Sequence, residues 1–339
     1  MFKHSVLLQG VLLAVALFAA SVFALSIGNF PISMSDIGQF AATSVGWSTM
    51  DTDRYNMLSN VLIDVRLPRI LAAILVGMAL SGSGAAFQAV FRNPLVSPGM
   101  LGVLAGASFG AALGMLIHGD WITIQLLAFM FGLLAVGIGV AVSQIFGSGS
   151  MITLLLGGIL SGAMFSALLS LVKYMADPQD QLPSIVYWLM GNLGLSGLSE
   201  VLWLSIPLLI AIAVLCFCGR AMDAMSMGDD EAKALGISVV PMRYTVILAA
   251  TLASALSVSI AGMVGWVGLL VPHLARMLVG PCNARLIPAS LMLGACFLLL
   301  ADCLARSIAE VEVPVGIITE VLGLPMFLFV LHRARKGWN

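Results

Sequence analysis

Charged side chains are scarce in this chain of 339 residues, where Asp, Glu, Lys and Arg together make up only 9%. A typical soluble domain carries about 25%. The hydrophobic share is 60% and the mean hydropathy is +1.09, so a soluble core has too little interior for these side chains. The net charge is −1, and the basic residues form no cluster suited to phosphates. The composition predicts a polytopic membrane protein and excludes a nucleic-acid partner.

Two kinds of functional motif are also missing. No G-x-x-x-x-G-K-[ST] run occurs, so the sequence has no loop of backbone amides that would hold a nucleotide phosphate. The five cysteines are scattered through apolar stretches, and His273 has no second ligand at helical spacing. We expect no metal and no cofactor on this chain and no enzymatic activity, with any ATP-Mg bound and hydrolysed by a separate subunit.

Apolar segments bounded by polar, Gly or Pro residues predict an all-α fold, with about ten transmembrane helices in a single domain, residues 1–339. About 20 apolar residues are needed for each crossing. The eighth segment is short and contains Pro272, which predicts a broken or partial helix covered by protein. The ten segments are residues 5–27, 68–90, 99–117, 122–146, 151–172, 199–219, 242–262, 264–280, 286–305 and 314–331.

The distribution of basic residues predicts the orientation. The first segment is longer than a signal-peptide core of about 7–15 residues, so we expect it to be an uncleaved crossing. An even number of crossings puts both termini on one side, and cytoplasmic loops collect Lys and Arg. We therefore predict that both termini are cytoplasmic. The cytoplasmic basic residues are then Lys3, Arg92, Arg220, Lys233, Arg243, Arg276, Arg285, Arg333, Arg335 and Lys336, against Arg54, Arg66, Arg69, Lys173 and Arg306 outside.

Glycines recur at every fourth position in the third segment, and the same spacing separates Gly158 from Gly162 in the fifth. Such spacing lines one helix face with no side chains and lets a neighbouring backbone approach closely. Two interpretations remain open, which are close helix packing and the smooth wall of a wide pathway. The glycines of the third segment are Gly102, Gly106, Gly110 and Gly114.

A long cytoplasmic connection, residues 220–241, contains the run MGDDEAKALG. Acidic residues in a first helical turn complement the helix dipole, and glycine favours a helix end. We predict a short helix that is capped by Ser226 or Gly228 and ends at Gly236. It is either a docking knob for a partner or an ordinary solvated connector. The apolar residues available to a partner would be Met227, Ala232 and Leu235.

Arginines stand at the outer ends of two segments, in the run RLPR at 66–69 and at Arg306. Three interpretations remain open. The side chains reach lipid headgroups, or they bind carboxylates of a partner through their planar guanidinium groups, or Arg306 pairs with Asp302 one turn earlier.

Several motifs, in order along nearly the whole chain, resemble the FecCD family of ABC-importer permeases, which serve iron-siderophore, haem and cobalamin uptake. The resemblance is carried by RLPR at 66–69, RNPL at 92–95, GDD-x-A-x-x-LG at 228–236, VGLLVPHLAR at 267–276, Ala301-Asp302 with Arg306, EVPVG at 312–316 and GLP at 323–325.

The resemblance implies a ten-helix subunit of the bacterial cytoplasmic membrane that pairs with a second copy. Two ATPase subunits would lie below this homodimer and a substrate-binding protein above it. Residues of the loop that would fit the ATPase are Gly228, Asp229, Asp230, Glu231, Ala232, Leu235 and Gly236. Residues that would meet the binding protein are Arg66, Arg69 and Arg306. Residues of the cytoplasmic gate would be Asn93, Leu95, Ser150, Met151 and Ile152.

Two positions depart from the family pattern. Cys282-Asn283 stands where the family usually has Asp-His, and Glu320 stands at a position expected to be small or apolar. An ionisable group inside a membrane segment is a functional candidate, so Glu320 is predicted to line a pathway unless it hydrogen-bonds a neighbouring helix.

The resulting hypothesis is import of a metal chelate by alternating access, the cargo being a ferric siderophore, haem, cobalamin or an oxyanion such as molybdate. A pathway-facing Glu320 would disfavour the oxyanion. The alternative is a stand-alone secondary transporter that uses Glu320, Asp302 and Lys173 as an ion or proton relay.

Overall fold

The computed structural model describes residues 2–28, 30–147, 150–194 and 197–335, and within these ranges every regular element is a helix. Lys336, one of the basic residues used for the orientation, lies outside them. The α-helices in chain order are α1 (Phe2–Ser26), α2 (Met34–Ser44), α3 (Thr52–Ser59), α4 (Leu67–Val90), α5 (Val103–Leu116), α6 (Trp121–Gly147), α7 (Met151–Met175), α8 (Gln181–Leu189), α9 (Leu198–Phe217), α10 (Gly219–Met227), α11 (Asp229–Ala234), α12 (Val239–Ala261), α13 (Val267–Val279), α14 (Asn283–Ala305) and α15 (Val315–Arg335).

Each of the ten predicted apolar segments coincides with one of these helices. Seven helices of the described ranges are long and apolar enough to cross a membrane, α5 and α13 are shorter apolar helices, and α15 is apolar over Val315–Phe329. The predicted shortness of the eighth segment is confirmed, because α13 has only 13 residues. Its backbone nevertheless continues as a helix through Pro272.

The second segment begins earlier than residue 68. Helix α3, a π-helical stretch at Asn60–Arg66 and helix α4 form one continuous helix of 39 residues, Thr52–Val90. Proline lacks an N–H and its ring clashes with the carbonyl four residues earlier in an α-helix. The π-helical stretch ends just before Pro68, where Leu67 donates its N–H to the carbonyl of Leu62, five residues back. The first turns are polar, so hydropathy alone did not reveal them.

The centre of the bundle is formed by α4, α12 and α14, whose apolar stretches are mostly buried, whereas α1 lies at the periphery and packs on α14. Glycines let the central helices approach closely. A Cβ atom on Gly84 of α4 would lie 1.8 Å from the carbonyl oxygen of Gly268 in α13, and one on Gly77 would lie 2.3 Å from that of Gly294 in α14. No side chain fits at these crossings without a shift of the backbone.

The glycines of α5 serve the same purpose. A Cβ on Gly106 would lie 2.3 Å from the carbonyl oxygen of Phe131, and one on Gly110 would lie 2.2 Å from that of Leu127, both on α6. The close-packing interpretation is therefore confirmed for these two positions. Gly158 of α7 also packs closely, since a Cβ there would lie 2.7 Å from the Cα of Leu101, and both Gly158 and Gly162 line an open groove described below.

Candidate functional site

Two of the predicted outer arginines bind the C-terminal end of α1. The guanidinium group of Arg66 donates to the carbonyl oxygens of Leu25 and Phe30, and Arg306 donates to that of Ile27 at 2.8 Å. The last carbonyls of a helix have no partner inside the helix and carry the negative end of its dipole. The two cations therefore cap α1 and fix the turn that follows it.

An ion cluster continues from this cap into the protein. Arg69 Nε donates to Asp302 Oδ1 at 2.8 Å, and Arg69 Nη1 donates to Glu312 Oε2 at 2.6 Å. Arg306 Nε lies 3.0 Å from the other oxygen of Asp302, in charge contact without the alignment of a hydrogen bond. The side chain of Asp302 is fully buried, and within the described part of the chain these two arginines are its only charge partners. The pairing of Arg306 with Asp302, one of the three alternatives from the sequence, is confirmed.

The same geometry bears on the predicted docking role of these arginines. Arg66, Arg69 and Arg306 are only 3%, 7% and 4% exposed, and each is bound to partners within the chain. In this conformation they present no free guanidinium group to another protein. A direct contact with a binding protein requires these side chains to leave their present partners, and docking stays a prediction.

At the other end of α4, the predicted cytoplasmic knob consists of two short helices. Gly228 lies between α10 and α11 with φ +151°, and Gly236 ends the second helix with φ +81°, conformations that favour glycine. Of the two predicted caps, Gly228 is the one found. Ser226 does not cap α11, because its hydroxyl donates to the carbonyl of Met222 in the preceding turn.

The predicted apolar surface of the knob is only partly exposed. Met227 and Leu235 are 69% and 63% exposed, but Ala232 is fully buried and belongs to the core beneath α10 and α12. The prediction that Ala232 is available to a partner is therefore wrong. Helix α11 turns its small residue inward, where the short side chain lets the helix lie against the core.

Asp229 ties the knob to two neighbouring segments. Its carboxylate accepts hydrogen bonds from Arg243 at 2.8 Å, in the first turns of α12, and from Arg92, in the loop after α4. Arg92 also donates through Nε to the carbonyl oxygen of Met225 at 2.8 Å. The hydrogen bond from Arg243, supported by Arg92, holds the pKa of the Asp229 carboxyl below its usual value. The carboxylate is thus charged at neutral pH. We call Asp229, Arg92 and Arg243 the Asp229 clamp.

The loop after α4 that carries Arg92 also holds two of the predicted gate residues. Arg92 itself has φ +48°, a conformation uncommon outside glycine. The side-chain oxygen of Asn93 accepts the N–H of Leu95 at 2.9 Å, which closes a tight turn. Leu95 is 51% exposed. The loop is therefore an ordered turn held at its base by the clamp.

The other predicted gate residues begin α7. Ser150 caps this helix, because its hydroxyl oxygen accepts the N–H of Thr153 at 3.2 Å. Met151 packs against the same core cluster that contains Val96 of the loop after α4, and Ile152 is 74% exposed. Met151 and the loop after α4 thus share one core cluster through Val96, and the gate role of these residues stays a prediction.

Asp223 was not recognised from the sequence. It lies on α10, and its carboxylate accepts the backbone N–H groups of Asn283 at 2.5 Å and Ala284 at 3.2 Å, at the start of α14. An anion here satisfies free N–H groups and the positive end of the helix dipole. Where the family pattern has an acid and a histidine, this chain has Cys282-Asn283, and the acid that caps α14 comes from another helix. Only the spatial proximity of α10 and α14 reveals it.

An open groove of about 400 Å³ lies between α5, α7 and the turn at Pro98–Leu101. A smaller cavity of about 190 Å³ adjoins it, because Gly99 and Leu104 line both. Gly265 and Trp266 form the far wall of the smaller cavity. Glu320 of α15 is exposed and lies over this wall, where a Cβ on Gly265 would be 3.6 Å from its Oε1.

Comparison with known proteins gives a consistent answer. The FecCD transport family matches residues 13–333. The molybdate import system permease protein of Haemophilus influenzae is 36% identical over 313 residues, 92% of each chain. The hemin transport system permease protein of Yersinia pestis is 36% identical over 298 residues, 86% of this chain and 87% of that protein. A solved inward-facing ABC transporter, assigned to the metal-chelate type, has a TM-score of 0.83 and 34% identity, and the match covers 95% of this chain and 97% of that one. The chain is thus a multi-pass membrane protein of the FecCD transport family.

Proposed function

We propose that this chain is the permease subunit of a binding-protein-dependent ABC importer that moves a metal chelate into the cytoplasm. The likeness to FecCD permeases over residues 13–333 carries this proposal. The absence of a nucleotide-binding loop from the sequence fits it, since the energy must then arrive from separate ATPase subunits. The cargo is a ferric siderophore, haem, cobalamin or an oxyanion such as molybdate.

The proposed assembly is a homodimer in the bacterial cytoplasmic membrane, with ten crossings in each copy and both termini in the cytoplasm. Helix α4 supports a separation of the two proposed partner surfaces. Its 24 residues span about 36 Å, enough to cross the hydrocarbon layer of about 30 Å. Arg66 and the end of α1 lie at one end of it, and Arg92 with the Asp229 clamp at the other. This separation supports the proposal that the two partner surfaces face opposite sides of the membrane.

At the cytoplasmic end, we assign ATPase contact to the knob formed by α10 and α11. Its exposed apolar side chains, Met227 and Leu235, are suited to a groove on an ATPase subunit. Asp230 and Glu231 lie in the first turn of α11, and the Asp230 side chain is 93% exposed. The buried Ala232 positions the helix without itself meeting the partner.

The clamp offers a direct route from this knob to the gate. A movement of α11 pulls on Asp229, which is bonded to Arg92, and Arg92 begins the loop that carries Asn93 and Leu95. We propose that ATP-driven movement of the knob opens and closes this loop against the start of α7. Alternating access follows if the outer end closes as the inner end opens.

At the outer end, the proposed binding-protein contact is largely indirect. Arg66 and Arg306 hold the turn after α1, and Arg69 holds Glu312, which is 37% exposed. The arginines thereby shape the rim on which a binding protein would dock. They take part directly only if docking displaces their present partners.

The knob assignment is tested by isolating the tagged chain from membranes together with any associated subunits. We expect an ATPase subunit that carries the phosphate-binding loop to co-purify with it. Leu235→Asp should reduce this recovery by about tenfold or more, because a charge would be buried against the partner groove. The matched control is Met277→Asp, which places the same charge at a 45% exposed apolar residue in the last turn of α13. Equal recovery with both variants would contradict the assignment.

A further inference from the structure

Glu320 is an ionisable group inside the apolar helix α15. It lies five residues after the start of α15, or about 7.5 Å along the helix axis. Neighbouring positions on the exposed side of α15 are apolar, including Val321 at 65% and Leu324 at 52% exposure. A carboxylate facing lipid at this depth is costly, so such groups face protein or water. The exposed side chain of Glu320 therefore marks a side of α15 that meets a hydrated space or a second copy of the chain.

The neighbours of Glu320 identify that space. Its carboxylate lies next to Gly265, which lines the smaller cavity. This cavity adjoins the open groove. Met263, two residues earlier, lines the larger groove, as does Ser108. Ser108 is fully buried and its hydroxyl has no hydrogen-bond partner among the described residues. A buried hydroxyl without a partner in such a wall indicates a place where water or a polar ligand binds.

The charge of Glu320 is not neutralised by the chain around it. Among the described residues, no basic group lies within ion-pair distance of its carboxylate. Arg69 and Arg306 are already paired with Asp302 and Glu312, and Arg66 is bound to backbone carbonyls. In a homodimer the two copies contribute two such carboxylates to one pathway. A narrow space with low-dielectric walls concentrates their field.

We infer that Glu320 lines the substrate pathway and selects for metal chelates of zero or positive net charge, against oxyanions and anionic chelates. This inference rests on the proposed importer function. For a chelate that crosses intact, the carboxylate acts on the charge of the whole complex. Anionic cargo meets repulsion at the carboxylates, whereas cationic cargo is drawn into the groove.

The field of Glu320 is measured without knowing the cargo, by labelling a reporter thiol. Met263→Cys is introduced into a chain whose five native cysteines are replaced, and the assembled transporter is treated with cationic and anionic methanethiosulfonate reagents of similar size. The rate of each reagent with the protein thiol is divided by its rate with a small free thiol. This normalised rate should be higher for the cationic reagent than for the anionic one. Glu320→Gln should lower this preference by about threefold to tenfold. The matched control Glu310→Gln removes the same charge from an exposed position in the outer loop and should leave the preference unchanged.

Two results would overturn the inference. Either the reporter thiol reacts with neither reagent, so that the groove is not hydrated, or Glu320→Gln and Glu310→Gln give the same charge preference.

Cargo is then compared in proteoliposomes that contain the ATPase and binding protein, with ⁹⁹Mo-molybdate and a cationic ⁵⁵Fe-trihydroxamate as probes. Glu320→Gln should raise the uptake of molybdate relative to the cationic chelate. Uptake of a probe that proceeds equally well without ATP, while the labelling preference persists, would contradict the importer function and leave the field of Glu320 established.

Discussion

Asp302→Ala is expected to lower the free energy of unfolding by about 3–5 kcal/mol, because it leaves two buried guanidinium groups without their shared carboxylate. The side chains of Arg69 and Arg306 are only 8% and 4% exposed, so water cannot readily replace the lost partner. Arg69 keeps its bond to Glu312, whereas Arg306 keeps only neutral acceptors. The change is measured by thermal or denaturant unfolding of the purified chain in detergent.

The control for Asp302 is the ion pair between Asp36 and Arg54. These side chains are 22% and 54% exposed, and such exposed pairs contribute about 0–1 kcal/mol. Asp36→Ala should therefore cause a much smaller loss of stability than Asp302→Ala. Similar losses in the two variants would show that the buried cluster does not hold the outer rim together.

Arg92→Ala is expected to uncouple transport from ATP hydrolysis, so that uptake falls while ATP is still hydrolysed. The substitution removes a charge-assisted hydrogen bond to Asp229 and another bond to the carbonyl of Met225, but leaves Arg243 to hold α11. The side chains of Arg92 and Asp229 are 43% and 40% exposed, so their ion pair contributes about 0–1 kcal/mol, and the bond to the Met225 carbonyl adds about 1 kcal/mol. A coupling that depends on both should weaken about fivefold. Uptake should fall by this factor in proteoliposomes, while the ATPase subunits still co-purify and hydrolyse ATP.

Arg285→Ala serves as the matched control, since Arg285 is an exposed arginine in the first turn of α14 with no ion pair among the described residues. It should change neither uptake nor ATP hydrolysis. If Arg92→Ala also leaves uptake unchanged, the clamp does not connect the knob to the gate loop. If it abolishes co-purification of the ATPase, the role of Arg92 is to fold the knob.

The sequence was most informative where apolar runs are long. All ten apolar segments became helices, because a run of that length and composition can satisfy its backbone in a membrane only by forming one. Helices α2 and α3 were not predicted, since their polar turns give no hydropathy signal. The π-helical stretch before Pro68 was also not predicted, because it depends on which carbonyl Leu67 can reach in the folded chain.

Side-chain environments were harder to predict than helices. The run around Gly228 and Gly236 predicted the short helix α11, but the direction of its apolar face depends on packing against α10 and α12, which placed Ala232 inside. The arginines of RLPR were recognised as outer residues, but their partners at Leu25, Asp302 and Glu312 are remote in sequence. Sequence spacing alone predicted only the pair of Arg306 and Asp302, which are one helical turn apart.

The central claim is that ATP hydrolysis by other subunits drives this chain to import a metal chelate. It is tested most directly in proteoliposomes that hold the chain, its ATPase subunits and its binding protein, by following uptake of a ⁵⁵Fe-labelled chelate. The account predicts that uptake requires ATP and stops when the lysine of the ATPase phosphate-binding loop is substituted, whereas a protonophore has no effect. Uptake that persists without the ATPase and collapses with the ion gradient would contradict it, and would identify a secondary transporter instead.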